Sequence, residues 1–322
     1  MKMPKKQTHS TITSEVRIIK EYNGKIRVKL TDKCNLHCPF CHFEGTPEIE
    51  EISPKDPILL KWLNIFKDYF DKVHLTGGEP LLYSSLKEII EVFNKHGYKV
   101  AMTTNGTFLN DSFRELLPSL DYINVSFHTQ NPKYFKYFVT HKRALFFIEK
   151  IKDTILFLKE TFKRVRINAV VSPNPEQKIE EIMDFSFRNN ILLKLVPDWR
   201  FYEEAERFIE EILNQHGFVL DSIILKMPSS NIRKIFKDSY GNKIEVKSLK
   251  PFYLSSWCDK CTLKEKCLET FAFLRLEGNP LRFKPCIYKP SIDVEMFSKI
   301  VWPSLKKEME KALKYKEDKN ER

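Results

Sequence analysis

Glycine is scarce in this chain, with nine in 322 residues. Glycine alone tolerates left-handed backbone and very close approach at no steric cost, so in such a chain its positions carry information. Gly45, Gly77, Gly78 and Gly106 fall in loops. No apolar run reaches the roughly 20 residues of a membrane-spanning helix. The basic N-terminus lacks the apolar core of a secretory leader. A soluble, cytoplasmic protein with no membrane partner is therefore expected. No cysteine occurs between residues 42 and 257. The seven cysteines are an odd number for a disulfide framework, and they form two groups: Cys34, Cys38 and Cys41, then Cys258, Cys261, Cys267 and Cys286. In a reducing compartment, clustered cysteines read as metal or cluster ligands. Acidic residues are in deficit, 43 against 54 basic ones, leaving a net charge of +11. That excess favours anionic partners such as nucleotides, nucleic acid or phosphorylated metabolites. It fits a Lys/Glu-rich thermophile surface equally well, because the charge is spread along the chain. Lys2, Lys5 and Lys6 read as a frayed tail.

The 42% of apolar residues supply a core. Strand-like and helix-like segments alternate: strands over 26–31, 72–76, 98–103, 122–127, 165–171 and 191–197, and helices over 57–70, 86–96, 112–117, 142–161 and 179–189. About six β/α units precede residue 200. This order implies a parallel sheet with right-handed crossovers, and several strands read as continuous apolar runs, as when both faces are covered. The predicted fold class is α/β, a partial barrel of six β/α units with a C-terminal extension. Its expected parts are a tail over 1–22, the barrel over 23–200 and the extension over 201–322. In the extension, 202–215 reads as a charged helix with a solvated face, 218–226 and 243–247 as strands paired across Tyr240 and Gly241, and 292–315 as a helix. Chemistry in such folds sits at strand C-termini, where the first cysteine group, 77–80, 103–106 and 126–128 all fall.

Cys34-x3-Cys38-x2-Cys41 has no fourth cysteine nearby. A [4Fe–4S] cluster usually takes four thiolates. Three leave one iron open to a small chelating ligand, such as the amine and carboxylate of S-adenosylmethionine (SAM), and an electron from the cluster would then break a C–S bond. The competing reading is zinc held by the three thiolates with His37 or His42.

Cys-x3-Cys-x-aromatic-Cys, with Phe40 as the aromatic, resembles the radical SAM superfamily signature. Thr76-Gly77-Gly78-Glu79-Pro80 resembles its glycine-rich motif, and Thr103-Thr104-Asn105-Gly106 and Val125-Ser126 resemble strand-end motifs that contact SAM there. The resemblance implies a SAM-binding [4Fe–4S] cluster on Cys34, Cys38 and Cys41. It also implies a SAM site at Phe40, Gly77, Gly78, Glu79, Thr104, Asn105 and Ser126, a 5′-deoxyadenosyl radical that abstracts hydrogen from substrate, and an electron donor such as ferredoxin or flavodoxin.

The text over 26–36, 74–82, 103–106, 122–126, 165–171, 274–276 and 284–286 is most similar to the MoaA-like branch, the GTP 3′,8-cyclases of molybdenum-cofactor biosynthesis. The resemblance implies a small anionic substrate such as a nucleotide, with Arg27 and Arg275 matching family cations and Arg166 standing for a family lysine. Phe273 and His74 replace family arginines, and the family's Gly-rich C-terminal tail is missing. The family uses three cysteines for a second [4Fe–4S] cluster. Cys258-x2-Cys261-x5-Cys267-x18-Cys286 offers four and is similar to the SPASM/twitch-like auxiliary-cluster segments of peptide-modifying members, while four thiolates also suit zinc. Three functions follow: a MoaA-like enzyme, a peptide- or protein-modifying radical SAM enzyme, and a zinc or iron–sulfur module binding nucleic acid, the last the least expected. His74 and His128 are candidate proton donors or substrate contacts, although a lone histidine at a strand end is commonly a hydrogen-bonded structural residue. No side chain is assigned as catalytic. Trp199 and Phe201 read as packing at the lobe junction.

Overall fold

The structure, a computed structural model, describes residues 16–45, 49–139, 143–228, 231–249, 253–268 and 274–320. Lys2, Lys5, Lys6 and Phe273 lie outside the described residues.

The first crossover shows how local sequence builds the barrel. Asp56 caps the helix Pro57–Phe66 by accepting from the Ile58 and Leu59 N–H groups, with Pro57 at the first helical position, where its missing N–H costs nothing. Leu59, Trp62, Leu63 and Phe66 then fall on one buried face. This helix links β2 (Lys25–Lys29) to β3 (Lys72–Thr76). The same scheme produces β4 (Lys99–Thr104), β5 (Tyr122–Ser126), β6 (Val165–Val171) and β7 (Leu192–Pro197), joined by the helices Leu86–Lys95, Asp111–Leu116, Ala144–Thr161 and Ile179–Arg188. Strands β2 to β7 are parallel and in sequence order. They form the open, curled partial barrel that the alternation predicts.

Each barrel strand presents its two faces differently. Ile26, Val28, Val73, Leu75, Ile123, Val125, Ile167 and Leu193 are fully buried in the apolar core. The alternate positions Arg27, Lys29, His74, Thr76, Tyr122, Asn124, Arg166, Asn168 and Lys194 are polar, and they occupy the opposite face because strand side chains alternate. The reading of continuous apolar strands is corrected to that extent: helices cover one face only, and the other lines a polar lumen.

The remaining strands are β1 (Arg17–Tyr22), β8 (Val219–Met227), β9 (Asn231–Lys237), β10 (Lys243–Leu249), β11 (Leu274–Glu277) and β12 (Arg282–Lys284). They extend the same sheet to the order β1-β8-β9-β10-β7-β6-β5-β4-β3-β2-β11-β12. Three expectations change. Segment 17–22 is not tail but a strand parallel to β8, tied there by the Arg17–Asp221 and Lys226–Glu21 ion pairs. Segments 218–226 and 243–247 do not pair with each other, because β9 lies between them, antiparallel to both. No break in the sheet falls near 200, since β10 runs parallel beside β7 and of the three strands that follow only β9 is reversed. The charged helix Tyr202–Gln215 forms as predicted, and so does the final helix, which runs without interruption through Val294–Met296, a π-helical segment Phe297–Val301 and Trp302–Asn320.

The C-terminal region closes onto the first crossover. Strand β11 adds beside β2, and β12 folds back on β11. Trp62 meets Phe283 and Phe297 edge-on at 5.2 Å, and those two rings stack at 4.0 Å. Asp56 Oδ2 also accepts the Leu281 N–H at 2.9 Å.

Candidate active site

Cys34, Cys38 and Cys41 lie in the loop that leaves β2 at the C-terminal end of the barrel strands. Backbone groups shape that loop. The Cys41 N–H donates to Cys38 O at 3.0 Å, and the His37 N–H to Phe138 O at 2.9 Å. Burial pushes all three thiols above their ordinary pKa, and the thiols at Cys34 and Cys41 raise that of Cys38 further. Cys34 and Cys38 are half-buried and Cys41 is exposed at the loop surface, and thiols with raised pKa that feel one another ionise with the help of a cation, which is what a metal or cluster supplies. The Leu36 N–H reaches Cys34 Sγ at 3.5 Å and Asn105 Nδ2 reaches it at 3.9 Å.

The glycine motif is sewn onto this loop. The Gly78 N–H donates to Thr31 O at 2.6 Å and the Glu79 N–H to Lys33 O at 2.8 Å. A Cβ on Gly78 would stand 2.3 Å from Lys33 O, so the glycine serves close approach of two backbones. Glu79 is buried and accepts from Thr104 Oγ1 at 2.7 Å, the Asn105 N–H at 2.7 Å and the Leu81 N–H at 3.1 Å. Burial raises its pKa to about 7, against the pull of those donors. Asn105 Nδ2 bonds Asn35 Oδ1 at 2.8 Å. The three motif loops after β2, β3 and β4 thus form one connected rim, and Ser126 ends β5 half-buried beside it.

Phe40 is buried under the loop, edge-on to His128 at 4.8 Å, and Trp199 Nε1 donates to Phe40 O at 2.9 Å. Trp199 and Phe201 are 38% and 48% exposed, so they do not form the packed junction expected of them. His128 Nδ1 accepts the Val170 N–H at 3.0 Å, and burial lowers its pKa to about 3. It is a neutral prop under Phe40. His74 is also buried, with its pKa well below the usual range from desolvation and nearby cations. Its Nε2 stands 2.7 Å from Thr103 Oγ1 inside the lumen.

The lumen is dominated by cations. Lys25, Arg27, Lys194, Arg233 and Lys247 act on one another's charge, and Arg166 acts with Lys194 and Arg233 on Glu245. Desolvation, then neighbouring cations, hold Lys25 well below the usual lysine range. Lys194 is lowered to about 7 by desolvation, with Glu245 opposing. Glu245 pairs with Lys194 at 3.5 Å and Arg233 at 3.1 Å. Glu44 pairs with Arg27 and with Arg275 at 3.0 Å. The structure thus joins Arg27 and Arg275 through Glu44, while Arg166 lies over the Tyr122 ring at 4.5 Å. Lys25, Lys29, Glu44, Lys194, Arg233, Glu245 and Lys247 escaped the sequence reading. Their signal was present in Lys25-Ile26-Arg27-Val28-Lys29 and Lys243-Ile244-Glu245-Val246-Lys247, where charge recurs at every second position of a strand.

Cys258, Cys261, Cys267 and Cys286 surround one small cavity of about 20 Å³, together with Trp257 and Tyr288. The Tyr288 N–H donates to Cys286 Sγ at 3.3 Å. All four predicted ligands of the second group therefore line the same cavity. Among the described residues, no three His, Cys, Asp or Glu side chains draw together to hold a single ion. No helix among them is long and apolar enough to cross a membrane.

Residues 28–186 match the family described as the radical SAM superfamily. The chain is 29% identical over 305 residues to a GTP 3′,8-cyclase of Aquifex aeolicus, covering 87% of this chain and 89% of that protein. It is 35% identical over 280 residues to a probable GTP 3′,8-cyclase of Saccharolobus islandicus, covering 82% of each. Among solved structures, Streptococcus suis SuiB bound to its precursor peptide SuiA has the same fold, with a TM-score of 0.57 at 16% identity over 87% of this chain and 64% of that one. The motif loops, the partial barrel and these relatives agree: the chain belongs to the radical SAM superfamily of enzymes.

Proposed function

We propose that the protein is a MoaA-like radical SAM enzyme acting on a nucleotide, with GTP as the first substrate to test. The observation that carries this reading is the cation-lined lumen that leads to the three-thiolate loop. Lys25, Arg27, Arg166, Lys194, Arg233, Lys247 and Arg275, all buried or half-buried around Glu44 and Glu245, leave a surplus of positive charge in low dielectric, where a polyanion is the natural complement. Relatives named as GTP 3′,8-cyclases along most of their length support the same substrate class.

Cys34, Cys38 and Cys41 would hold a [4Fe–4S] cluster; three thiols on one loop that repel one another as thiolates fit that group. When cluster and SAM are bound, they supply one-electron cleavage of the SAM C–S bond and a 5′-deoxyadenosyl radical that takes hydrogen from the substrate. Gly77, Gly78, Glu79, Thr104, Asn105 and Ser126 would place SAM on the rim. Arg27, Arg166 and Arg275, with Lys194 and Arg233, would bind and orient the anionic part of the substrate. Phe40 and its aromatic neighbours keep water from beneath the loop. An electron donor such as ferredoxin or flavodoxin would reduce the cluster. Cys258, Cys261, Cys267 and Cys286 would hold a second cluster; four thiolates around one cavity favour full protein ligation. That feature also supports a second reading, a peptide-modifying enzyme with a SPASM/twitch-like auxiliary cluster.

Anaerobic incubation with SAM, reductant and GTP tests the first reading. GTP-dependent 5′-deoxyadenosine above the no-substrate background is expected, and Cys38→Ala should abolish it. Background-level product with GTP, alongside SAM cleavage that a peptide stimulates, would shift the assignment to the second reading.

A further inference from the structure

Arg27 and Arg275 are directly opposite each other on the parallel strands β2 and β11, an arrangement of like charges that is unfavourable without a counter-ion. The counter-ion is Glu44. One of its carboxylate oxygens meets Arg27 Nη2 and, at 3.2 Å, the Thr76 hydroxyl. The other accepts from Arg275 Nε at 3.0 Å. Each guanidinium touches the carboxylate through a single nitrogen, short of the bidentate fork that makes such pairs strongest. Glu44 is 4% exposed, and it reaches this position from the loop that carries Cys41, three residues upstream. To do so the chain adopts left-handed backbone at two successive non-glycine residues, Phe43 at φ 50° and Glu44 at φ 53°. That conformation is costly for residues with a Cβ and persists only where surrounding contacts hold it. Here the two arginines and Thr76 hold it.

We propose that Glu44, steadied by the Thr76 hydroxyl, is a built-in occupant of the anion seat formed by Arg27 and Arg275, and that a polyphosphate-bearing substrate displaces it. Glu44 is then a specificity-determining residue. It admits ligands charged strongly enough to take both arginines from a carboxylate already in place, and its release loosens the segment directly after Cys41. Competition for one pair of guanidinium groups requires reciprocity: whatever the carboxylate gains from the arginines, the ligand loses in affinity. The inference rests on the anionic-substrate reading and names the residue that sets its threshold.

The experiment uses the full chain, anaerobically reconstituted, and titrates tripolyphosphate and then GTP by calorimetry, with amide hydrogen exchange read over residues 41–45. Glu44→Gln keeps the shape and removes the charge; it is expected to bind tripolyphosphate about tenfold more tightly than the parent. In the parent protein, tripolyphosphate should raise exchange over 41–45; in Glu44→Gln, exchange should start high and stay unmoved. Thr76→Val, which removes one hydrogen bond from Glu44 and leaves both arginines, should tighten binding in the same direction by about twofold and guards against a Glu44 variant that misfolds. Equal or weaker binding by Glu44→Gln overturns the proposal. So does tighter binding with unchanged exchange in the parent, which would mean a field effect of one charge and not displacement. If the parent binds tripolyphosphate, Arg275→Gln weakens it and Glu44→Gln fails to tighten it, the substrate reading stands and this inference falls. If neither parent nor Glu44→Gln binds polyphosphate, both fall.

Discussion

Gly78 leaves no room for a side chain, since Lys33 O and Asp32 O would lie 2.3 and 2.6 Å from its Cβ. Both neighbours are backbone, so nothing can swing aside. Gly78→Ala is expected to push the cysteine loop off the glycine motif and cost on the order of 2 kcal/mol of stability. The iron held per chain should fall, and it should fall equally in a Cys286→Ala background, which removes a proposed ligand of the second group; iron analysis of both proteins checks it. Glu79 makes a second test at this scale. Its burial raises its pKa to about 7, so below that pH the carboxyl is largely neutral. The proposed place of Glu79 in the SAM site puts it against the SAM ammonium, which prefers the ionised form. SAM affinity should therefore rise as pH increases from 6 to 8, and Glu79→Gln should flatten that dependence; calorimetry at three pH values decides it. A steep profile that survives in Glu79→Gln would assign the titration to another group.

At the scale of elements, the β/α units from β2 to β7 were legible because each helix carries a clean apolar stripe and each strand an apolar face. The strands β1 and β9 were not. Their sequences, RIIKEY and NIRKIFK, scatter charge among apolar residues, and what holds them is cross-strand pairing with partners about 200 residues away for β1 and on both sides for β9. Such contacts leave no local period. The rim of the site was legible for a related reason: cysteines and Gly-Gly-Glu-Pro are rare words with few alternative uses. The lumen was harder, because a lysine facing a cavity and a lysine facing solvent look alike along the chain. Packing of the C-terminal elements gives this scale its own prediction. Phe297 stacks on Phe283 and meets Trp62 edge-on, pinning the hairpin that leads into Cys286 to the first crossover helix. Phe297→Ala should destabilise the protein by roughly 3–5 kcal/mol in thermal or denaturant unfolding. It should also speed alkylation of Cys286 in the metal-free protein before any effect on Cys34.

For the molecule as a whole, a barrel filled with like charge is a cost to the ligand-free fold. Lys194 shows the sign. Its pKa falls from the ordinary lysine value to about 7, chiefly by desolvation. A lysine depressed in the folded state binds fewer protons there than when unfolded, so between about pH 7 and the unfolded value near 10.4 stability rises with pH. Below 7 both states are protonated and the full penalty of the buried charge remains. Lys194→Met should accordingly be more stable than the parent at pH 6, with the advantage shrinking by pH 9. A polyanion relieves the same repulsion by binding the native state alone, so at a hundredfold excess over its Kd tripolyphosphate should add about 2.7 kcal/mol. Matched chloride at equal ionic strength should give much less, since screening reaches buried charges poorly. Thermal unfolding of parent and Lys194→Met with each salt at pH 6 separates a seat for polyphosphate from a merely basic interior. If chloride stabilises as well as tripolyphosphate, the lumen has no seat for a polyphosphate and the nucleotide reading loses its main physical support.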